Sequence, residues 1–181
     1  MNALIGSTGF VGGVLRRQWR FDDLYHSANI AHISGRSYDL VVCAAAPAQK
    51  WIANREPDAD LRNIRRLMEH LGSFRCGCFV LISTVDVFQS PVQVDEATPI
   101  QPNGLHPYGL HRWMLEEFVR QTFADHLVIR LPGLVGPGLR KNALYDLHHD
   151  NRLEAVDSRG EFQFYAMVNL GADIAKARAE A

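Results

Sequence analysis

The sequence predicts an α/β domain built around a parallel β-sheet, and two observations carry this prediction. Short apolar runs alternate with longer amphipathic stretches along the 181 residues, which is the pattern of parallel strands connected by crossover helices. The first apolar run also leads directly into a cluster of glycines. A chain of this length is expected to form one domain with a single core.

Four strands and four helices are expected. The apolar runs predict strands at residues 3–5, 39–46, 79–84 and 127–131. The amphipathic stretches predict helices at residues 11–21, 57–71, 108–123 and 172–181. Apolar residues recur every three or four positions in the second of these helices, and Gly72 follows as its C-terminal cap. Segments 91–107 and 132–138 contain several Pro and Gly residues and predict loops.

The composition is that of an ordinary globular protein, with 47% hydrophobic and 22% charged residues. The net charge of −1 provides no basic field, so we expect neither nucleic acid nor a membrane surface as a partner. No apolar run is long enough to cross a bilayer, and the N-terminus has no signal-peptide pattern. The three cysteines leave at least one unpaired, which favours a reducing, cytoplasmic location.

The glycines after the first strand have the spacing of a phosphate-binding turn. Residues 6–12 read G-x-x-G-x-x-G between a strand and a helix, where glycines allow close approach of a pyrophosphate. The alternative is a tight turn that binds nothing. The residues of this turn expected to bind a cofactor are Gly6, Thr8, Gly9, Phe10, Val11 and Gly12.

Four further segments resemble motifs of one enzyme family. They are residues 41–46 (VVCAAA), residues 82–88 (ISTVDVF), Tyr108-Gly109 after a loop containing Asp95-Glu96 and Pro102, and residues 130–138 (RLPGLVGPG). Together with the glycine turn, they resemble the extended short-chain dehydrogenases/reductases, and in particular the dTDP-4-dehydrorhamnose reductases and the NAD-dependent epimerases/dehydratases.

This resemblance implies a Rossmann-like, doubly wound parallel sheet that binds NAD or NADP and acts on a nucleotide sugar. It further implies that Ala44, Ala45, Ala46 and Pro132 lie beside the cofactor. Members of the family often form homodimers through the helix that bears the catalytic tyrosine.

The resemblance also implies a catalytic site at Thr84, Tyr108 and Arg112. In the family a Ser or Thr and a Tyr contact the reacting oxygen, and a Lys four residues after the Tyr lowers its pKa. Arg112 stands at that Lys position, and its spacing keeps it on the same helical face as Tyr108. The alternative is that Arg112 is a surface residue and Tyr108 a packing aromatic. His111 is a candidate proton relay beside Tyr108, but it is expected to be a residue exposed to solvent.

The region between the glycine turn and residue 39 is too short for the family's usual βαβ unit. It has no clear acidic residue at a strand end to bind the adenosine ribose of NAD. Arg36 is a candidate for binding the 2′-phosphate of NADP, or else a solvated loop residue. Ser27 and Asn29 are alternative ribose ligands. The sequence therefore slightly favours NADP over NAD as the cofactor.

The C-terminal part is also shorter than in the family. We interpret residues 1–181 as one nucleotide-binding domain in which residues 140–181 are a reduced segment of the substrate lobe. The chain is then either a part of a longer protein or a minimal form that completes its site through a partner subunit.

Three other groups of residues are candidate sites. Two pairs of potential metal ligands occur, Cys76 with Cys78 and His148 with His149. Neither pair is accompanied by a second pair at the spacing that a metal site needs, so no metal site is expected. Trp51 follows the alanine-rich strand and is expected to pack in the core rather than to stack on a ligand.

The sequence is compatible with two functions. The first is an NAD(P)-dependent oxidoreductase or epimerase that acts on a nucleotide sugar, with Tyr108 as the acid/base. The second is a non-catalytic module that binds a nucleotide or nucleotide sugar in the same fold.

Overall fold

The computed structural model describes residues 1–139, 142–151, 153–157 and 159–180. It contains a five-stranded sheet, a separate two-stranded sheet and six α-helices within these residues. The strands are β1 (Asn2–Ile5), β2 (Asp23–Tyr25), β3 (Ser37–Cys43), β4 (Arg75–Thr84), β5 (His126–Leu131), β6 (Gly133–Val135) and β7 (Phe164–Ala166). The helices are α1 (Phe10–Gln18), α2 (Lys50–Arg55), α3 (Pro57–Leu71), α4 (Pro107–Thr122), α5 (Ala143–His148) and α6 (Leu170–Glu180).

The larger sheet is fully parallel and has the strand order β2-β1-β3-β4-β5. Ile5 is in register with Cys43, Cys43 with Leu81, and Leu81 with Val128. The carboxyl ends of all the central strands therefore lie along one edge of the sheet. The predicted parallel sheet is confirmed.

Helices cover both faces of this sheet, as its apolar residues on both sides require. One face packs against α3 and α4 through Ile64, Leu71 and Leu115. The other face packs against α1 and α6, with Leu15 and Ile174 in its core. The chain is thus doubly wound around the sheet, as predicted. Among the described residues, no helix combines the length and the apolar character needed to cross a membrane.

The first and last helices of the domain are joined by the side chain of Gln18. Its amide nitrogen donates to the carbonyl oxygens of Met167 and Val168, at 2.9 Å in each case. Its amide oxygen accepts a 2.8 Å hydrogen bond from the backbone N–H of Gly171. One side chain therefore satisfies backbone groups at the start of α6 and fixes this helix against α1.

The shortened region after α1 folds into a strand that the sequence did not predict. Strand β2 has three residues and leads to β3 through a single turn of 3-10 helix, Ile30–Ile33, instead of a full helix and strand. The hydroxyl groups of Tyr25 and Tyr38 hydrogen-bond at 2.7 Å, and Tyr38 donates to Asp23 at 2.6 Å. These buried phenols help to close the end of the core beside this short edge strand.

The segment after Pro132 also differs from the prediction of a loop. Strand β6 pairs with β7 in parallel, with Leu134 in register with Tyr165. Both strands have only three residues. Runs of this length, one of them interrupted by glycines, are too short to give a periodic pattern, which is why they were missed.

Two glycines of the first turn are required by steric contact. Gly6 has a φ of +87°, in the left-handed region, and a Cβ at this position would lie 2.4 Å from the carbonyl oxygen of Ala44. A Cβ at Gly12 would lie 2.1 Å from the carbonyl oxygen of Gly6. Helix α1 therefore packs directly against the backbone of the turn.

Replacing Gly12 with Ala is expected to destabilise the protein by about 1–3 kcal/mol, since the new methyl group overlaps the Gly6 carbonyl. The matched control is Gly13→Ala, whose Cβ would have only a side-chain atom of Arg17 nearby, at 3.9 Å. It is expected to gain up to ~1 kcal/mol from the higher helix propensity of Ala. Urea unfolding of the two variants measures both effects, and equal stabilities would contradict the close approach.

Candidate active site

The carboxyl edge of the sheet gathers most of the predicted site residues. The glycine turn follows β1, the alanines at positions 44–46 follow β3, and Thr84 ends β4. Thr84 is in register with Leu131, so Pro132 follows β5 at the same edge. In open α/β sheets the ligand crevice lies outside the carboxyl ends of the strands.

The glycine turn and the start of α1 form a cradle of backbone N–H donors. The N–H groups of Gly6 and Ser7 donate to the carbonyl oxygen of Tyr25 at 2.9 and 3.0 Å, which fixes the turn against β2. Helix α1 begins at Phe10, and no side chain caps it at Gly9. The N–H groups of its first turn therefore have no intrahelical acceptor. These donors fit a pyrophosphate.

Tyr108 is held at the first turn of α4 by three backbone contacts. The ring nitrogen Nδ1 of His106 caps the helix by accepting the N–H of Gly109 at 3.0 Å. The N–H of Tyr108 donates to the side-chain oxygen of Asn54 at 3.0 Å. A Cβ at Gly109 would lie 2.2 Å from the carbonyl oxygen of Asp86, so α4 packs closely against the segment that follows β4. The start of α4 is thereby fixed against the segment that follows Thr84.

The phenol of Tyr108 is only 7% exposed, and burial raises its pKa above the ordinary value. Arg112 and the hydroxyl of Thr84 oppose this by lowering the pKa, while the nearby carboxylates of Asp86 and Asp60 raise it. The net shift is upward. Tyr108 is therefore a neutral phenol at physiological pH.

Arg112 is buried beneath Tyr108, with 2% of its surface exposed. Its guanidinium carbon lies 4.0 Å from the centroid of the Tyr108 ring. One terminal nitrogen forms an ion pair with Asp60, and the other donates to the carbonyl oxygen of Pro47. The Nε atom is buried without a partner. The alternative of a surface arginine is therefore wrong, because this cation joins α4 to α3 and to the loop after β3.

His111 is buried too, and the expectation that it is exposed is wrong. Its Nδ1 lies 2.7 Å from the Oδ2 atom of Asp60, the same carboxylate that pairs with Arg112. Because an ionised carboxylate can only accept, the ring N–H of His111 is the donor. Asp60 is the common acceptor for two residues of α4. Its one signal in the sequence was that a polar residue falls on the apolar face of α3.

Three polar residues near Tyr108 were missed as site residues. Asp86 accepts a 3.2 Å hydrogen bond from the hydroxyl of Thr84, and its own N–H donates to that hydroxyl at 3.1 Å. Lys50, at the start of α2, forms an ion pair with Asp86. The Nε2 atom of His106 lies 3.8 Å from the same carboxylate. Asp86 lies within the motif that identified Thr84, which was the available signal.

Some candidate residues do not join this group. Arg36 immediately precedes β3, at the opposite end of the sheet from the glycine turn, and is exposed. Seven residues of strand separate it from Cys43, a distance of about 23 Å at the usual strand rise. The side chain of Asn29 bonds the backbone of His26 and Leu24. Arg36 is thus not brought to a cofactor position, and Asn29 has a local structural partner.

The other candidates are Trp51, the cysteines and the possible metal ligands. Trp51 is 56% exposed and stacks against the guanidinium of Arg55 at 5.0 Å, so the expectation of core packing is wrong. Burial raises the pKa of the Cys43 and Cys76 thiols to about 12. Within the described residues, no group of three or more His, Cys, Asp and Glu side chains is suited to a metal ion.

The fold and this edge define a Rossmann-type domain of the kind that binds dinucleotides. No protein-family model matches the sequence, and no curated protein matches it. Solved structures do match. The chain superimposes on a dTDP-4-dehydrorhamnose reductase from Clostridium acetobutylicum with a TM-score of 0.73 and 18% identity, covering 99% of this chain and 71% of that one.

Two further matches have the same fold. A dTDP-4-dehydrorhamnose reductase from Bacillus anthracis, solved in complex with NADP, gives a TM-score of 0.70 at 17% identity, with 98% of this chain and 70% of that one covered. The UDP-glucose 4-epimerase of Thermotoga maritima, solved with UDP-glucose, gives 0.67 at 17% identity, with 99% and 72% covered. The structural neighbours are therefore extended short-chain dehydrogenases, the family that the sequence resembles.

Replacing Asp60 with Asn is expected to destabilise the protein by about 3–5 kcal/mol, since it leaves the charge of Arg112 buried without an anion. The matched control is Asp58→Asn in the first turn of the same helix, where the carboxylate is exposed and contributes about 0.3–1 kcal/mol. Urea unfolding at neutral pH compares the two. Similar losses in both variants would show that the buried pair has no special role.

The ionisation of Tyr108 is expected only above its ordinary pKa of about 10. Because the folded-state pKa is raised, the stability contributed by the neutral phenol is complete below the unfolded-state pKa and is lost as pH rises through the folded-state pKa. The ultraviolet absorbance of phenolate, compared between the wild type and Tyr108→Phe, isolates this group. A difference signal that titrates near neutral pH would contradict the raised pKa.

Proposed function

We propose that this chain is an NAD(P)-dependent oxidoreductase or epimerase that acts on a nucleotide sugar, with Tyr108 as the acid/base. The observation that carries the proposal is that the start of α4, with Tyr108, packs against the segment that follows Thr84, at the same sheet edge as the glycine cradle. The names of the matching structures support the same class, since they are a nucleotide-sugar reductase solved with NADP and an epimerase solved with UDP-glucose.

In this proposal the residues of the glycine turn hold the pyrophosphate, and the alanines after β3 and Pro132 line the rest of the crevice. The cofactor supplies hydride chemistry when it is bound. Tyr108 gives a proton to the substrate oxygen or takes one from it, and Thr84 lies beside it to contact the same oxygen. Arg112 provides a fixed positive charge against the ring face, which lowers the cost of forming the phenolate.

The choice between NAD and NADP stays open. Because Arg36 lies at the far end of the sheet, the main argument for preferring NADP over NAD no longer holds. The short strand β2 ends at Tyr25, and the next residue, His26, takes the place where an acidic ribose ligand is usual. We further propose that residues 140–181 include a reduced part of the substrate lobe, and that the chain acts in the cytoplasm, with α4 as the surface for pairing in a homodimer.

A second candidate function is a non-catalytic module that binds a nucleotide or nucleotide sugar. It is favoured by one observation: the charge of Arg112 is taken up by Asp60 and its hydrogen bonds by Asp60 and Pro47. This cation is therefore not free to hold the nicotinamide ribose as the family's lysine does. A binding module would keep the cradle and need no acid/base.

The test is calorimetric titration with NADPH and with NADH, followed by turnover assays on UDP-glucose and dTDP-4-dehydrorhamnose. Tyr108→Phe is expected to keep the cofactor affinity of the wild type and to lose turnover by roughly 10²–10⁴-fold. The matched control is Tyr165→Phe, which removes a phenol bonded to Asp173 on α6 and should leave turnover unchanged.

Each outcome supports one of the two candidate functions or excludes both. Cofactor binding with turnover that depends on Tyr108 supports the enzyme. Binding without turnover of any nucleotide sugar supports the binding module. If neither cofactor binds, the proposed function is wrong and only the fold is shared with the neighbours.

A further inference from the structure

The short strand β2 ends directly beside the glycine turn. The carbonyl oxygen of Tyr25, its last residue, accepts the backbone N–H groups of Gly6 and Ser7 at 2.9 and 3.0 Å. Tyr25 is also in register with Ile5, the last residue of β1. The residue that follows, His26, is therefore held at the carboxyl edge of the sheet, next to the turn proposed to hold the pyrophosphate. In Rossmann-type domains, a side chain near this point contacts the 2′ position of the adenosine ribose.

The backbone of His26 is fixed by hydrogen bonds with Asn29. The N–H of His26 donates to the side-chain oxygen of Asn29 at 2.7 Å, and its carbonyl oxygen accepts the N–H of Asn29 at 3.0 Å. The amide nitrogen of Asn29 donates in turn to the carbonyl oxygen of Leu24 at 3.0 Å. Both ends of the Asn29 side chain are thus used locally, and they hold His26 in one backbone conformation.

The imidazole of His26 has a defined arrangement of donor and acceptor. The backbone N–H of Ala28 donates to Nδ1 of His26 at 3.3 Å. Because a ring nitrogen that accepts a hydrogen bond carries no proton, the neutral ring has its proton on Nε2. His26 is partly exposed, and the next two residues, Ser27 and Ala28, are small and exposed. His26 therefore offers an N–H donor on a side chain that keeps contact with solvent.

The segment around His26 lacks the carboxylate that is usual in an NAD site. Residues 24–36 contain no Asp or Glu. The acid nearest to His26 before this segment is Asp23, whose carboxylate accepts the hydroxyl of Tyr38 at 2.6 Å. Asp23 lies three residues before His26, a distance of about 10 Å at the usual strand rise. This segment therefore supplies no negative charge that would repel a phosphate.

The two cofactors differ in what they present at this position. NADP carries a 2′-phosphate, whose charged oxygens accept hydrogen bonds. NAD carries a 2′-hydroxyl, which is usually held by a carboxylate that accepts its proton. The N–H donor of His26 complements the phosphate. It also fits the oxygen of a hydroxyl, but a hydrogen bond to an ionised acceptor is roughly twice as strong as a neutral one.

We propose that this chain prefers NADP to NAD, and that His26 makes the distinction by donating from Nε2 to the 2′-phosphate. This inference rests on the proposed function, since it concerns the cofactor of that same site. It replaces Arg36 as the candidate for this role, because Arg36 precedes β3 at the opposite end of the sheet.

The experiment is calorimetric titration of the full chain with NADPH and with NADH. The wild type is expected to bind NADPH roughly 10-fold or more tightly than NADH, as a hydrogen bond to a charged group provides. His26→Ala should lose this difference, with its affinity for NADH within about threefold of the wild type. His26→Gln keeps an N–H donor and should retain most of the preference. His26→Asp should reverse it, since a carboxylate repels the phosphate and accepts from the ribose hydroxyl.

Two further variants serve as matched controls. His32→Ala removes an exposed histidine from the next turn, and Arg36→Ala removes the candidate suggested by the sequence. Both are expected to keep the wild-type preference. Nuclear magnetic resonance of isotope-labelled histidine gives a second measurement that does not depend on affinity. The signal of His26, assigned by its absence in His26→Gln, should show the proton on Nε2, and NADPH should shift this nitrogen more than NADH does.

The outcomes separate this inference from the proposed function. Equal affinity of the wild type for NADPH and NADH would overturn the inference and leave the proposed function standing. A preference for NADPH that survives in His26→Ala, or that is lost in Arg36→Ala, would overturn the role of His26. Equal losses of both affinities in His26→Ala would show that the side chain only supports the loop, and would overturn that role too. A wild type that binds neither cofactor overturns the inference together with the proposed function.

Discussion

The buried carboxylate of Asp60 is the interaction on which the geometry of the candidate site depends. It accepts from Arg112 and from His111, both on α4, while Asp60 itself belongs to α3. Arg112 continues the connection to the carbonyl oxygen of Pro47, in the loop after β3. One anion thus holds together the helix that carries Tyr108, its neighbouring helix and the loop after β3. Since buried charges are costly unless they are paired, these three elements cannot separate without exposing or stranding a charge.

This arrangement also changes what the cation beneath Tyr108 can do. A lysine ammonium is a compact donor on a flexible chain, whereas the guanidinium carbon of Arg112 lies 4.0 Å from the centroid of the phenol ring. Its charge still acts on the phenol, but the hydrogen bonds that it makes lie within the core. The polar side chains near the start of α4 that keep contact with water are Lys50, Asp86 and His106, which belong to three separate segments. The exposed polar groups of the candidate site and the buried charges that join α3 to α4 are therefore different residues.

The sequence predicted the central parallel sheet and the helices α3 and α4 to within a few residues, because these elements have long periodic patterns. It also predicted the glycine turn after the first strand and the run of alanines after a later one, which the structure brings to one edge of the sheet. It missed β2, β6 and β7, which have three residues each and no usable periodicity. It misjudged His111 and Trp51 because the burial of a single helical residue depends on which neighbour packs against it. Asp60 could not be recognised as the partner of Arg112, since 52 residues separate them in sequence.

The clamp formed by Gln18 has a consequence for the order in which the chain folds. Its partners are separated from it by 149 to 153 residues, nearly the whole length of the polypeptide. Contacts of this range form late, because the entropy of closing so large a loop must be overcome before they contribute. During synthesis on the ribosome, α1 emerges first and keeps part of its apolar face uncovered until α6 has been made. The apolar face of α1 that α6 covers in the folded domain is therefore one of the last parts of the core to be completed.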